Sequence, residues 1–519
     1  MKTIMTFFRL LYTGFVLARH DALIPAEYAK SVPWFVRFVG WVSRLFSRRL
    51  KNKNPGERLA IALEKLGPAY IKFGQILATR SDMLDEDFIR GLSRLKDNVP
   101  PFSMQEAEAR LQKDFGKPWA EIFKTFSEPV AAASVAQVHK AELLSGEIVA
   151  VKILRPNIHR QMEKDISVLR MVAGFTQKFV KSLDRLKPVL FIETVARSVS
   201  LELDLRLEAA AASEISEIAT DTDLFRVPNL HWDLSSKNIM VMEWIDGTSL
   251  SSENILALPE ADKKALAIKI IQSFLASAFD YGVFHADMHE GNLILDEAGQ
   301  LVLLDFGILG RLSVAEQRFH AEILFGFLER DYHRIAEIHF EAGYVSKTHT
   351  LEDFASALRA VGEPIFGKTS DQVSMANVLL HLFEITEIFD MQMQPQLIML
   401  QKTMMQAEGV ARRLDTAFDM WEAARPIVEA SLRRELGPEG RIGDFMADLR
   451  LAQKTLKAMP EAAENVAALA KAWRAGDVDL SKPLQTPSLT KSKPVLKSIA
   501  WAGGGAVIMY IGLWAVGQI

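Results

Sequence analysis

The sequence predicts an α+β chain of two lobes with helical additions at both ends, and three observations carry that expectation. The first is His285-Ala286-Asp287-Met288-His289-Glu290-Gly291-Asn292 followed by Asp305-Phe306-Gly307, an H-x-D-x-x-x-x-N loop with a D-F-G triplet downstream. These are the acidic signatures of a kinase active site. The second is Val149-Ala150-Val151-Lys152, an apolar strand ending in lysine and lying N-terminal to that loop, as kinase order requires. The third is a helical pattern running from about Ser313 to Trp473. A lone D-F-G arises often by chance, and a lysine after an apolar strand is usually a solvated strand end. Their order along one chain argues against both of these readings.

Residues 1–55 read as a basic, membrane-proximal segment, with 32–46 as an amphipathic helix. Arg37, Arg44, Arg48 and Lys51 fall on one side at helical spacing, and Phe35, Phe38, Val42, Leu45 and Phe46 on the other. Such a helix suits a surface of anionic lipid; packing on the body is the alternative. Arg9 interrupts the first apolar stretch and no small-residue cleavage site follows, so a cleavable signal peptide is not expected. Residues 56–125 form a helical extension in which Gly67-Pro68-Ala69-Tyr70-Ile71-Lys72-Phe73-Gly74-Gln75 places Lys72 and Gln75 on one helical face.

Residues 126–247 make the smaller lobe. No G-x-G-x-x-G precedes Lys152; Val130-Ala131-Ala132-Ala133-Ser134-Val135-Ala136 stands there instead. Glycine lets backbone amides approach phosphates at positive φ and alanine resists that geometry. Nucleotide binding through Ala131, Ala132, Ala133, Ser134 and Val135 is therefore expected to differ from an ordinary kinase's. Three carboxylates could partner Lys152, namely Glu202, Asp204 and Glu208, in a segment that reads as running helically into Ala209–Ala212. Val241-Met242-Glu243-Trp244-Ile245-Asp246-Gly247 reads as a strand leaving this lobe, with the backbone around Glu243 available to an adenine edge.

Residues 248–475 make the larger, helical lobe. Leu293–Leu295 and Leu301–Leu304 read as two short strands around the turn Asp296-Glu297-Ala298-Gly299-Gln300. Asp287 would face the attacking oxygen, while Asn292 and Asp305 would hold Mg2+ against the phosphates of ATP. After the D-F-G, Ile308-Leu309-Gly310-Arg311-Leu312 leads straight into Ser313-Val314-Ala315-Glu316, a capping box that begins a helix. No A-P-E follows, and there is no room for a long activation loop, where protein kinases dock a peptide. The methionines Met391, Met393, Met399, Met404 and Met405 point to adaptable core packing, or else to a surface for a lipid tail. Residues 476–497 are a Pro/Ser/Thr-rich linker with lysines and few acids. Residues 498–519 are about twenty uncharged residues, long enough for a transmembrane helix, with a buried C-terminal helix as the alternative. By the positive-inside rule the body would lie on the cytoplasmic face of the membrane, held by a single C-terminal span.

The chain has no cysteine, which excludes disulfides, thiolate nucleophiles and cysteine-ligated iron–sulfur clusters. Its net charge of -4 gives no general attraction to nucleic acid.

Taken together, the K-x-G-Q helix, the alanine-rich loop, Glu202-x-Asp204 and His285-Ala286-Asp287-x-His289-x-Gly291-Asn292 resemble the UbiB family of atypical kinase-like proteins. The resemblance runs from about Pro25 to about Ile427 and includes Gln394-Pro395-Gln396-Leu397 and Leu400-Gln401-Lys402-Thr403. It implies that the helix of Lys72 and Gln75 folds over the active site and occludes the peptide position. It also implies ATP hydrolysis in support of coenzyme Q assembly at the bacterial inner membrane, with polyprenylated ubiquinone precursors and other ubiquinone-biosynthesis proteins as partners. Met288 and Glu290 stand where many relatives have prolines. Three classes of function follow: an ATPase that extracts or presents such precursors, a protein kinase acting on biosynthetic enzymes, and a nucleotide-sensing scaffold. The missing A-P-E weighs against the second, and the intact Lys152, Asp287, Asn292 and Asp305 against the third.

Overall fold

Strand patterning and one proline set the smaller lobe. Four antiparallel strands run β1 (Phe123–Ala132), β2 (Ala136–Leu143), β3 (Ile148–Leu154) and β4 (Ile239–Glu243), in that spatial order. β3 is central and buried along nearly its whole length, whereas β2 alternates buried and half-buried residues. β1 lies at the edge, where Pro129 can miss a ladder hydrogen bond, and its register against β2 shifts around Phe126, Pro129 and Ala131. Lys152 sits opposite Val138 on β2 and Met240 on β4. Val149, Val151, Ile153, Ile239 and Val241 pack below the sheet with Phe123 and Leu111.

The structure, a computed structural model, describes residues 2–22, 53–78, 86–92, 95, 100–179, 187–363, 385, 388–391 and 395–436. Helices α1 (Lys2–Arg19), α2 (Pro55–Leu66), α3 (Pro68–Ala78), α4 (Glu86–Leu92) and α5 (Met104–Phe115) precede the sheet. α2 starts at a capping box of Asn54 and Glu57 with Pro55 in its first turn, and α5 starts at one of Ser103 and Glu106. Between β3 and β4 run α6 (Ile158–Phe179), α7 (Pro188–Glu202) and α8 (Leu205–Thr222). One core joins α1, α2, α3, α6 and α7 around Leu17, Leu59, Tyr70, Phe73, Val168 and Ile192. Arg9 of α1 is ion-paired with the fully buried Asp165 of α6, and Thr13 shares a 2.9 Å hydrogen bond with the Tyr70 hydroxyl of α3.

The larger lobe carries β5 (Gly247–Ser249), α9 (Glu260–Asp280), β6 (Val283–His285), β7 (Leu293–Asp296), β8 (Leu301–Leu303) and β9 (Leu309–Arg311). Helices α10 (Val314–Glu329), α11 (Tyr332–Glu341), α12 (Leu351–Gly362), α13 (Pro395–Leu414) and α14 (Met420–Leu436) follow. β7 and β8 form the hairpin read from the sequence. Asp296 accepts the N–H groups of Ala298 and Gln300 across its turn, and Gly299 takes a positive φ of 78°. α9 is central, and its buried face meets α10, α13 and α14. Met399 and Met404 pack against this core, Met405 is exposed, and Met393 lies outside the described residues.

The kinase-like α+β core thus agrees with the sequence reading, and its C-terminal transmembrane helix is corrected. No helix among the described residues is long and apolar enough to cross a membrane. The long helices α6, α9 and α13 carry acidic and basic residues along their length, including Asp165, Lys269 and Glu408. The single span and the inner-membrane location built on it are therefore withdrawn. Residues 498–519, the linker 476–497 and the amphipathic segment 32–46 lie outside the described residues. A second difference lies at Leu203-Asp204, where the expected continuous helix breaks. The Asp204 carboxylate accepts the Arg206 N–H, so it caps a new helix, α8, in place of extending α7.

Candidate active site

Lys152 leaves β3 nearly out of contact with water and is surrounded by carboxylates. Its Nζ lies 2.5 Å from Glu208 Oε1 of α8 and 3.5 Å from Asp305 Oδ1. Burial works against the Lys152 charge, but Asp305 and Glu208 outweigh it and hold its pKa above the ordinary value. Asp305 is held below the usual carboxylate range, chiefly by the Lys152 ammonium. Burial pushes Glu208 upward while Lys152 opposes it. Asp305 also takes a positive φ of 59°, a conformation rare away from glycine, and accepts the Gly307 N–H at 3.3 Å.

The other carboxylates fall into different places. Glu202, the last residue of α7, pairs with Lys72 of α3 at 2.9 Å. It is close enough to Glu208 to help raise that group's pKa. The K-x-G-Q helix is seated by Phe73, whose ring meets Phe191 of α7 edge-on at 5.8 Å, and by Gly74, where a Cβ would strike Leu95 and Leu63. Gln75 is half-buried one turn from Lys72 on α3. Asp204 is bound by the Arg206 side chain as well as its backbone, so it stands apart from the Lys152 cluster. The Glu243 carboxylate is taken by Arg226, which also reaches Asp296, so this side chain braces the two lobes.

The alanine-rich segment is a tight hairpin. Ala131 and Ala132 belong to β1, opposite Val138 and Gln137, and Ala133, Ser134 and Val135 make the turn. The Arg155 guanidinium donates twice to the Ala133 carbonyl, at 3.1 and 2.8 Å, while the Arg155 backbone N–H reaches Val135. Ser134 is buried and Ala131 exposed.

The H-x-D-x-x-x-x-N loop begins at the end of β6. His285 donates from Nε2 to the Leu304 carbonyl at 2.8 Å and accepts the Asp287 N–H on Nδ1 at 3.1 Å; burial lowers its pKa, so the ring stays neutral. Asn292 gives its side-chain N–H to the Asp287 carbonyl at 3.0 Å, and the Asn292 carbonyl accepts the Leu304 N–H. Asp287 Oδ1 accepts two hydrogen bonds from α13, from Lys402 Nζ at 3.2 Å and Gln406 Nε2 at 3.0 Å. Burial works against the Asp287 charge, yet Lys402 and Gln406 prevail and hold it below the usual range. The sequence reading missed this pair: it noted Lys402 as part of a family resemblance, but nothing local links it to a loop 115 residues away.

The segment beyond the D-F-G is as short as the sequence indicates. β9 pairs with β6, and Ser313 then opens α10 through a complete capping box with Glu316. Arg311 binds Glu214 of α8 through both guanidinium NH groups, at 2.7 and 2.6 Å.

A family model described as ABC1 atypical kinase-like domain matches residues 94–339, and one described as UbiB helical domain matches residues 358–419. A "Probable protein kinase UbiB" of Marinobacter nauticus is 34% identical over 524 residues, covering 100% of this chain and 94% of that protein. One of Pseudomonas fluorescens is 37% identical, covering 81% of this chain and 80% of that one. Among solved structures, the Mycobacterium tuberculosis protein Rv3197, determined in complex with erythromycin, matches with a TM-score of 0.51. That match has 22% identity and covers 70% of this chain and 93% of that one, a likeness of fold.

Proposed function

The chain belongs to the UbiB family of atypical kinase-like proteins, and on that premise we propose that it is an ATP-dependent phosphoryl-transfer enzyme, working as an ATPase in support of ubiquinone biosynthesis. The observation that carries this reading is Lys152 held between Glu208 and Asp305, beside a loop that presents Asp287 and Asn292. Lys152 would meet the phosphates of ATP, aimed by Glu208. Asn292 spends its amide N–H on the Asp287 carbonyl, which leaves its amide oxygen as a ligand, and Asp305 is an ionised carboxylate. Two hard oxygen donors suit Mg2+, whose remaining positions go to phosphate oxygens and water. When bound, Mg2+ neutralises phosphate charge during transfer. Asp287 would accept the proton of the attacking group, and its ionised state at neutral pH fits that role.

Two observations favour hydrolysis over phosphorylation of a peptide. β9 runs straight into α10, so the chain between the D-F-G and α10 is too short for a docking platform. Lys72 is ion-paired with Glu202 beside the Lys152 cluster, which supports α3 as an occluding helix. Hydrolysis would then act on polyprenylated ubiquinone precursors or on other ubiquinone-biosynthesis proteins. The test is turnover by the purified full-length chain with Mg-ATP, with and without a polyprenylated phenol, measuring released phosphate and phosphoprotein in parallel. Phosphate release without stoichiometric phosphoprotein is expected; label accumulating on a partner protein with no free phosphate would reject the ATPase assignment.

A further inference from the structure

The loop His285–Asn292 contains no lysine or arginine, so an ammonium or guanidinium beside its aspartate has to come from another element. It comes from α13. Lys402 and Gln406 are four residues apart, which places them on one helical face, and both donate to the same oxygen, Asp287 Oδ1. The helix is fixed in place. Ala407, Val410, Ala411 and Leu414 are buried in the larger lobe. Arg413 grips the loop itself through Glu290, and it binds Glu253 and the carbonyls of Leu250 and Ser251. Two polar atoms remain. Asp287 Oδ2 has His289 Nε2 at 3.8 Å, beyond hydrogen-bond reach. Gln406 Oε1 is buried and has no hydrogen-bond partner among the described residues. A buried amide oxygen without a donor is costly, and a donor arriving with the reactants would relieve it.

We propose that α13 supplies two positioning residues, Lys402 and Gln406, which hold Asp287 Oδ1 and leave Oδ2 and the Gln406 oxygen to receive one water as the nucleophile. This deepens the ATPase reading and rests on it. The water oxygen forms a bond to the terminal phosphorus of ATP. The bond from that phosphorus to the bridging oxygen breaks, and its electron pair leaves with ADP. One water proton passes to Asp287 Oδ2 and then to solvent, and the other stays on the inorganic phosphate. Lys402 keeps Asp287 from turning its accepting oxygen away, and Gln406 orients the water.

The test uses the full-length chain with Mg-ATP, comparing Lys402→Met, Lys402→Arg and Gln406→Leu with the parent. Lys402→Met should lower kcat for phosphate release by about ten- to a hundredfold, the loss of one hydrogen bond to a charged group, with KM kept within about threefold. Lys402→Arg should recover most of that rate, which a merely structural role would not require. Gln406→Leu should also lower kcat, with ADP and phosphate still formed one to one. An unchanged kcat in a folded Lys402→Met protein, a loss confined to KM, or an arginine variant no better than methionine would each overturn the proposal. If Lys402→Met does not fold, Lys402→Arg and Gln406→Leu decide: Gln406→Leu turning over at the parent's rate overturns it. A parent that neither binds nor turns over Mg-ATP overturns the ATPase reading and this role with it. Turnover and binding that survive the substitutions overturn the positioning role alone.

Discussion

Glu208→Gln isolates the charge that aims Lys152. The substitution keeps the shape of the side chain and an oxygen that accepts a hydrogen bond, and removes only the negative charge. The Lys152 and Glu208 side chains are 13% and 9% exposed, so solvent screening is weak. A hydrogen bond between charged partners contributes about 1.5–3 kcal/mol and a neutral one about 0.5–1.5, a difference of about 1–2 kcal/mol. The larger loss of about 3–5 kcal/mol for breaking a buried ion pair does not apply in full, since Asp305 still lies 3.5 Å from Lys152. Burial disfavours the Glu208 charge, and relief of that penalty moves the expected cost to the lower end, about 1 kcal/mol. Catalysis should suffer more than stability, because Lys152 is then drawn to Asp305 and away from its aim at the phosphates. A fall in kcat/KM of at least about tenfold is expected. The assays are urea unfolding without nucleotide and steady-state phosphate release. A Glu208→Gln protein that turns over ATP like the parent refutes the role of the pair, whatever its stability.

Asp305→Asn should abolish Mg-dependent nucleotide binding and turnover while leaving Lys152 paired with Glu208; unchanged Mg-ATP affinity, by titration calorimetry, would sink the metal assignment. Ala132→Gly loosens the hairpin beside the Ala133–Val135 turn, and should change Mg-ATP affinity and let the chain incorporate phosphate into itself; an unchanged affinity rejects a phosphate-facing role for this segment. Lys72→Ala removes the partner of Glu202 and should open the site to added hydroxyl acceptors, read as label transferred to them, and no transfer argues against occlusion. His339, buried against Tyr344 and Phe354, is held down at about 4 by burial. Between the unfolded value near 6.5 and about 4, the unfolded chain binds a proton that the folded one does not, so stability falls on acidification, by at most about 1.4 kcal/mol per pH unit. His339→Phe should flatten the urea midpoint against pH across that window, and an unchanged slope assigns the acid sensitivity to other groups.

What was legible in the sequence was local. The β7–β8 hairpin follows from apolar runs around a turn that contains Gly299, and the start of α10 from Ser313 and Glu316 three residues apart. The break at Leu203-Asp204 was hidden because Glu202 to Glu208 has helix-compatible residues throughout, and only the cap at Asp204 interrupts them. Of the three carboxylates that could partner Lys152, spacing alone could not choose; the break sends Glu202 to Lys72 and Glu208 to Lys152. Gln406 escaped notice altogether, since a glutamine on a methionine-rich helix gives no chemical signal until tertiary packing brings it to Asp287. Glu243 shows the same limit in reverse: its side chain is engaged by Arg226, a structural pairing that the strand pattern of Val241–Gly247 does not announce.

Helix α8 explains why the short post-D-F-G segment and the Lys152 cluster belong together. Glu208 in its first turn meets Lys152, and Glu214, six residues on, meets Arg311 of β9. The two links differ in weight. Arg311 is 61% exposed and Glu214 36%, so that pair contributes at most about 1 kcal/mol and is weakened by salt. The Lys152 pair is buried, and leaving one of its charges unpartnered costs far more, so it sets the position of the helix. In kinases with a long activation loop, ordering of that loop controls when the helical glutamate reaches its lysine. Here β9 is already paired with β6, and no intervening loop separates it from α10. The element that remains beside the cluster is α3, whose Lys72 holds Glu202 at the end of α7, immediately before the break that begins α8.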